Sequence, residues 1–243
     1  MNCSVKHIFW LIFLAIFIGI ASPSISQPAR TANSQVARQA ILRNYSRLEF
    51  MVRGQRRVLG SKTFLRVFTQ GRKLEVWVAN NASVYRLVRT YRLCSPSGKN
   101  ARTNIPIGIY AIARTGLQTT SDNFLRLRTN YPNAFDATRG RGQNPLFIGA
   151  TCVQGGGISL TDTDLEELYV LVYAALANRH NAVPLHIFPY ELNAINSMQP
   201  RTKSNRQIIE QLTPIYRAFE SNHRLPNVLV SRRGYRLEAP RAK

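Results

Sequence analysis

Histidine is scarce in this 243-residue chain: His7, His180, His186 and His223 are all it has, with none between His7 and His180. A histidine base is therefore excluded from that whole stretch, whatever the fold. Cysteine is nearly as rare, with only Cys3, Cys94 and Cys152, and no Cys and His stand at the spacing of a metal site. No metal and no cofactor is expected. Acidic residues number 12 against 33 lysines and arginines, which leaves a formal charge of +21. Such a balance favours an anionic surface as partner, through a long-range attraction that salt screens. Nucleic acid is such an anion, yet no helix-turn-helix, zinc-ligand or RNA-recognition motif accompanies the charge, which argues against it. Long apolar runs are missing with one exception, Ile8 to Ile20, and there is no internal repeat.

That exception follows a short polar start containing Lys6 and precedes Ala21-Ser22-Pro23-Ser24-Ile25-Ser26-Gln27. This is the three-part pattern of a secretory signal peptide, with cleavage expected before Gln27. About 13 apolar residues is short for a membrane span, which takes about 20. Residues 1–26 are therefore read as a leader, and an uncleaved leader is the one route to a membrane. A secreted, periplasmic or envelope location follows. Cleavage would remove Lys6 and no acidic residue, so the charge would fall only to about +20. It would also remove Cys3, leaving Cys94 and Cys152 either to pair in an oxidising compartment or to stay as buried thiols.

The remainder is long enough for one large domain. Residues 27–72 read as a basic amino-terminal segment in which Val36, Ala40, Ile41 and Leu48 suggest one short amphipathic helix. From Leu74 onward strand patterns dominate, in Leu74-Val76-Val78, Val84-Leu87-Val88, Tyr91-Leu93 and Ile107-Ile109-Ala111, with turns at Asn80-Asn81 and Ser95 to Gly98. Leu146-Phe147-Ile148 is a further strand. The clearest helix runs from about Asp162 to Asn178, with Thr163 and Glu166 as a capping box and Asp162, Asp164, Glu166 and Glu167 near its positive end. A second helical stretch begins near Ile208, a strand covers Asn227 to Val230, and 238–243 is a basic tail. The fold class is mostly β with packed helices (α+β).

Several blocks carry a resemblance, in one order. They are Leu74-Glu75-Val76-Trp77-Val78, Tyr91-Arg92-Leu93-Cys94, Pro106-Ile107-Gly108-Ile109-Tyr110 and Asn130-Tyr131-Pro132-Asn133-Ala134-Phe135-Asp136. Then come Cys152-Val153-Gln154-Gly155-Gly156-Gly157 with Thr161-Asp162, Leu165-Glu166-Glu167-Leu168-Tyr169 and His186-Ile187-Phe188-Pro189-Tyr190, with a looser match out to Gly234-Tyr235. From Lys73 to Leu237 the chain resembles the L,D-transpeptidases, enzymes that remodel peptidoglycan through an acyl-enzyme on cysteine. The resemblance implies a domain over 73–237, a β-sandwich core with one or two packed helices, and a cleft for the peptide stem of peptidoglycan.

The departures fall where that chemistry is done. The family pattern Cys-Val-Ser-x-Gly-Cys ends here in Gly157, and a glycine can form no thioester. The His-Gly pair that supplies the family's base becomes Gly149-Ala150, the serine becomes Gln154, and the acidic residue of the Pro-Glu-Gly-x-Tyr block becomes Ile107. No catalytic set is intact. A relocated nucleophile, Cys152 with His186, is the alternative that would keep an enzyme, as a transpeptidase or an amidase-like hydrolase. The principal expectation is a binder of peptidoglycan or another anionic envelope polymer through Tyr131, Gln154, Arg126, Arg128, Arg139 and Arg141. A regulator docked on an active paralogue is the third possibility.

Overall fold

A computed structural model describes residues 34–94, 105–119, 124–150, 157–192 and 203–238. The leader read over 1–26, Cys152, Gln154 and nearly all of the basic tail lie outside the described residues.

Helix α1 spans Gln35–Gly54, and Ser34 caps it by accepting from the Ala37 N–H at 3.1 Å. Ala37, Ala40, Asn44, Leu48 and Val52 form its buried stripe at helical spacing. The helix expected to be short thus has 20 residues, because the stripe continues past Leu48 to Val52. The strands also start before Leu74. β1 (Thr63–Phe68) precedes β2 (Lys73–Ala79) and β3 (Tyr85–Arg92), and all six β1 residues are buried. Alternation cannot announce a strand covered on both faces, and Arg66 in its middle reads as surface. The sheet that belongs with residues after Lys73 therefore recruits its centre from the segment before it.

That sheet has the order β3-β2-β1-β9-β4, with β4 at Gly108–Ala113 and β9 at Ala182–Phe188; β1 and β9 are parallel and the other pairs antiparallel. A second sheet has the order β5-β6-β7-β8, built from Leu117–Thr119, Leu125–Arg128, Phe147–Gly149 and Ile158–Ser159. Between β6 and β7 lies a single-turn helix, α2 (Ala134–Ala137). The chain closes with α3 (Asp162–Ala177), α4 (Lys203–Asn222) and the hairpin β10–β11 (Val228–Ser231 and Gly234–Leu237). The architecture is α+β in mixed sheets, as expected.

Helix α3 is apolar nearly all round, and it packs against α1, against β1 and β9 of the first sheet, and against β6 of the second. Its cap is Thr161, which accepts from the Asp164 N–H at 3.2 Å, two residues before the cap expected at Thr163. Glu166 and Glu167 hold α1: Arg43 and Arg47 donate to them at 2.7 Å each, and buried Glu167 also receives Arg89 at 3.1 Å and the Tyr91 hydroxyl at 3.2 Å. The opposite face of β1 meets α4, whose Tyr216 and Phe219 pack on Phe68 and Phe64. On α4, Gln211 accepts from the Tyr235 N–H at 3.0 Å and so carries the closing hairpin. At Gly234, φ is +126° and any β-carbon would strike Gln211, so only glycine turns the hairpin there.

Candidate functional site

The second sheet has two chemically distinct faces. Leu117, Leu125, Leu127, Ile148 and Ile158 are buried on one side. Period two then turns Gln118, Arg126, Arg128, Phe147, Gly149 and Ser159 to the other, where all are partly or fully exposed. Register places Arg126 directly opposite Gly149 and opposite Gln118, while Arg128 faces Phe147 and Gly149 faces Ser159. The Arg126 guanidinium lies 4.4 Å from the Phe147 ring centroid, and its Nε donates to Gln118 Oε1 at 3.1 Å. Stacked on one side and tethered at Nε, the fork is pre-aimed, and its terminal nitrogens meet no acceptor among the described residues. No carboxylate pairs with Arg126 or Arg128 among the described residues.

Gly149 ends β7, and a β-carbon built on it would meet nothing within 4 Å. Gly157 stands just before β8, where a β-carbon would lie 3.0 Å from the Phe147 carbonyl oxygen. The first position is open; the second is close to the limit of what a side chain tolerates. Between them lie Cys152, Gln154, Gly155 and Gly156, which are outside the described residues. Cys94 is disulfide-bonded, and its N–H donates to the Ser159 carbonyl at 2.8 Å, which pins the end of β3 to β8.

Tyr131, Arg139 and Arg141 belong to a separate setting around α2. Asn133 caps that turn: its Oδ1 accepts from Phe135 N at 2.9 Å and Asp136 N at 3.1 Å, while its own N–H donates to Asp136 Oδ2 at 3.3 Å. Its amide nitrogen donates to Ile109 O at 3.0 Å and to the Tyr235 hydroxyl at 3.1 Å, which ties the turn to β4 and β11. The Tyr110 hydroxyl donates to Asp136 Oδ2 at 3.1 Å, and the Tyr110 and Tyr131 rings meet edge to face at 5.7 Å. Burial pushes the Asp136 carboxyl above its ordinary range, against the hydrogen bonds from Tyr110 and Asn133 and the charges of Arg141 and Arg139. Burial, and then the charge of Asp136, raises Tyr131; burial raises Tyr110 and Tyr235 as well. Asn133 and Asp136 thus brace the loop on which Tyr131 and Arg141 sit. The Arg139 guanidinium stacks 4.1 Å from the Phe135 ring centroid. Asn133 is absent from the candidates read from sequence, although the Asn-x-x-Asp spacing is itself a capping signal. Gln118 and Phe147 are missing from them because only strand pairing brings them to Arg126.

His186 is where the structure departs most from any catalytic use. It is 3% exposed in β9, with Phe64 at 4.7 Å and Phe188 at 6.0 Å between ring centroids. Burial, and then the Arg66 charge, pushes its pKa down to about 3. A side chain sealed in the first sheet cannot reach a substrate, so the alternative pairing with Cys152 loses its base. The burial has a pH signature. The folded form holds His186 neutral while the unfolded chain protonates near 6.5, so this contribution to stability is complete above about 6.5 and declines as pH falls towards about 3. Denaturant midpoints from pH 7.5 down to 4 are expected to fall less steeply in His186→Gln than in the parent; identical slopes would refute the assignment.

Part of the basic excess is also structural. Arg66 is 5% exposed, pairs with Glu75 at 2.8 Å and Glu220 at 2.5 Å, and has the rings of Phe68, Trp77, Tyr216 and Phe219 within 5.0–5.3 Å. It holds α4 on the sheet and is closed to ligands.

The chain is thus an α+β protein whose ordered blocks are similar to those of L,D-transpeptidases, with glycine at both positions where the resemblance places catalytic side chains. In particular, it is 26% identical over 192 residues to "Putative L,D-transpeptidase YafK" of Escherichia coli strain K12, a match that covers 76% of this chain and 78% of that one. The same protein of Escherichia coli O157:H7 matches equally. The resemblance read from the motifs is borne out by these relatives. Among solved structures, Bdellovibrio bacteriovorus Bd1075 is 19% identical with a TM-score of 0.41, over 65% of this chain and 58% of that one. No protein-family model matches.

Proposed function

We propose that this is a secreted cell-envelope protein that binds peptidoglycan, or another anionic envelope polymer, on a degenerate L,D-transpeptidase fold without transpeptidase turnover. One observation carries this: Gly149 and Gly157 stand where the resemblance puts a histidine base and a cysteine nucleophile, and Arg126 lies directly across from Gly149. A face emptied of nucleophile and base retains no route to an acyl-enzyme. It keeps, however, cationic and aromatic groups suited to holding an anionic peptide. The relative's name points to the same polymer. The leader read over 1–26 supplies the route out of the cytoplasm, and no helix among the described residues is long and apolar enough to cross a membrane.

The burial of His186 weighs against the relocated nucleophile, because a histidine 3% exposed and held neutral in the first sheet cannot serve a cysteine as base. A regulator acting on an active paralogue would use the same face and would show as co-purification.

The test is a pulldown of the mature protein with purified sacculi, alongside intact mass after exposure to a carbapenem. Recovery at low salt with release near 1 M, where the screening length is about 3 Å, and an unmodified mass are the expected results. Failure to sediment at low salt would sink the binding role. An adduct that vanishes in Cys152→Ser would restore an enzyme.

A further inference from the structure

The outer face of the second sheet singles out Arg126. Its neighbours fix its direction: the Phe147 ring at 4.4 Å beneath the guanidinium and Gln118 Oε1 at 3.1 Å from Nε. The next residue on that face across the β6–β7 ladder is Gly149, with open space where a side chain would stand. Beyond it comes Ser159, with its small hydroxyl. The row Arg126, Gly149, Ser159 is therefore a shallow strip with one fixed cation at its end. Arg128 lies two residues along the same strand, exposed, and adds a second positive charge to that face. A planar fork held in place matches the two oxygens of a carboxylate, and the bare backbone at Gly149 lets an extended peptide come close.

We propose that Arg126 is a specificity-determining residue that binds a peptide carboxylate, with the peptide lying over Gly149 and Ser159, so that the position opposite the family's lost base has become an anion clamp. This rests on the peptidoglycan-binding reading and adds to it which chemical group is recognised and by which side chain. The anchor is stacked on a ring and tethered to a neutral amide before any ligand arrives, which lowers the ordering cost of binding. Arg126→Lys keeps the charge but not the fork, so it should recover only part of the affinity.

The probes are a peptidoglycan stem tetrapeptide with free carboxylates and the same peptide with every carboxylate amidated, titrated calorimetrically into the full mature protein and into Arg126→Gln. The free acid is expected to bind at least about tenfold more tightly than the amide, and Arg126→Gln to abolish that preference, since a charge-assisted hydrogen bond contributes on this scale. Thermal melts of the variant keep folding separate from recognition. Equal binding of acid and amide, or an acid preference that survives Arg126→Gln, overturns the clamp. If sacculi are bound while the tetrapeptides are not distinguished, the clamp alone falls. If sacculi are not bound but the free acid binds in an Arg126-dependent way, the clamp stands and the envelope role falls. Binding of neither overturns both.

Discussion

Arg66→Ala is expected to be among the most damaging single changes to this protein, costing about 3–5 kcal/mol of folding stability, the range for removing one partner of a buried ion pair. Two carboxylates depend on it. The Glu75 side chain is 6% exposed and, without Arg66, keeps Lys73 at 3.0 Å and the Trp77 indole N–H at 3.0 Å but loses its main countercharge; Glu220 loses its only one among the described residues. The four rings around the guanidinium would at the same time enclose a void. For a chain of this size about 1 kcal/mol moves the melting temperature by roughly 2–4 °C, so a fall of roughly 10 °C is the expected reading by thermal melt. Arg66→Met with Glu75→Gln should regain much of the loss, because packing returns and the buried Glu75 charge is removed, while Glu220 is 28% exposed and can be solvated. A single variant that melts within about 2 °C of the parent would show that α4 does not depend on this ion pair. Binding of sacculi should be retained by Arg66→Ala below its lowered melting point, since Arg66 is closed to ligands.

Asn133→Ala is the second large effect, expected at about 2–4 kcal/mol. The N-cap contributes about 1 kcal/mol, and the buried Ile109 carbonyl and Tyr235 hydroxyl each lose a donor at about 1–3 kcal/mol if left unsatisfied. The consequence is local as well as global. Asn133 joins α2 to β4 and β11, and the loop it braces carries Tyr131, Arg139 and Arg141. Asn133→Ser should keep the cap but not the two outward bonds, and so recover about 1 kcal/mol. Urea midpoints for the three proteins decide this; a shift below about 0.5 kcal/mol for alanine, the size of an ordinary surface change, would remove Asn133 from the framework. Tyr235 comes from the hairpin that Gln211 of α4 supports, so damage at Arg66 and damage at Asn133 converge on neighbouring contacts and should combine non-additively.

Leu165, Leu168, Tyr169, Val172 and Leu176 recur at helical spacing along α3, and all five are buried. Its cap was displaced by two residues because Thr161 and Thr163 are both followed three positions later by an acid, and only the chain's path selects the first. Glu166 and Glu167 looked like helix-end acids; they are the anchors of α1, from more than a hundred residues away. β1 was invisible since a strand with both faces covered carries no alternation, and its one charged residue is neutralised by partners on β2 and α4. His186 stood inside a motif, yet its isolation follows from two rings and a guanidinium that converge on it from β1 and β9.

By itself the sequence determined which side chains are absent from which positions: four histidines, none between positions 8 and 179, and glycines at 149 and 157 are facts of composition and order that no folding can alter. It also determined the sign of the charge and the periodicity of α3, because a helix writes its period into consecutive residues. Only the tertiary structure decided which arginines face outward. Arg66 and Arg126 have the same side chain, but β1 is covered on both faces and β6 on one, so the first is sealed among rings and carboxylates and the second is presented beside Gly149. That choice is made by strand pairing between distant segments, and a linear sequence does not display which residues will lie side by side.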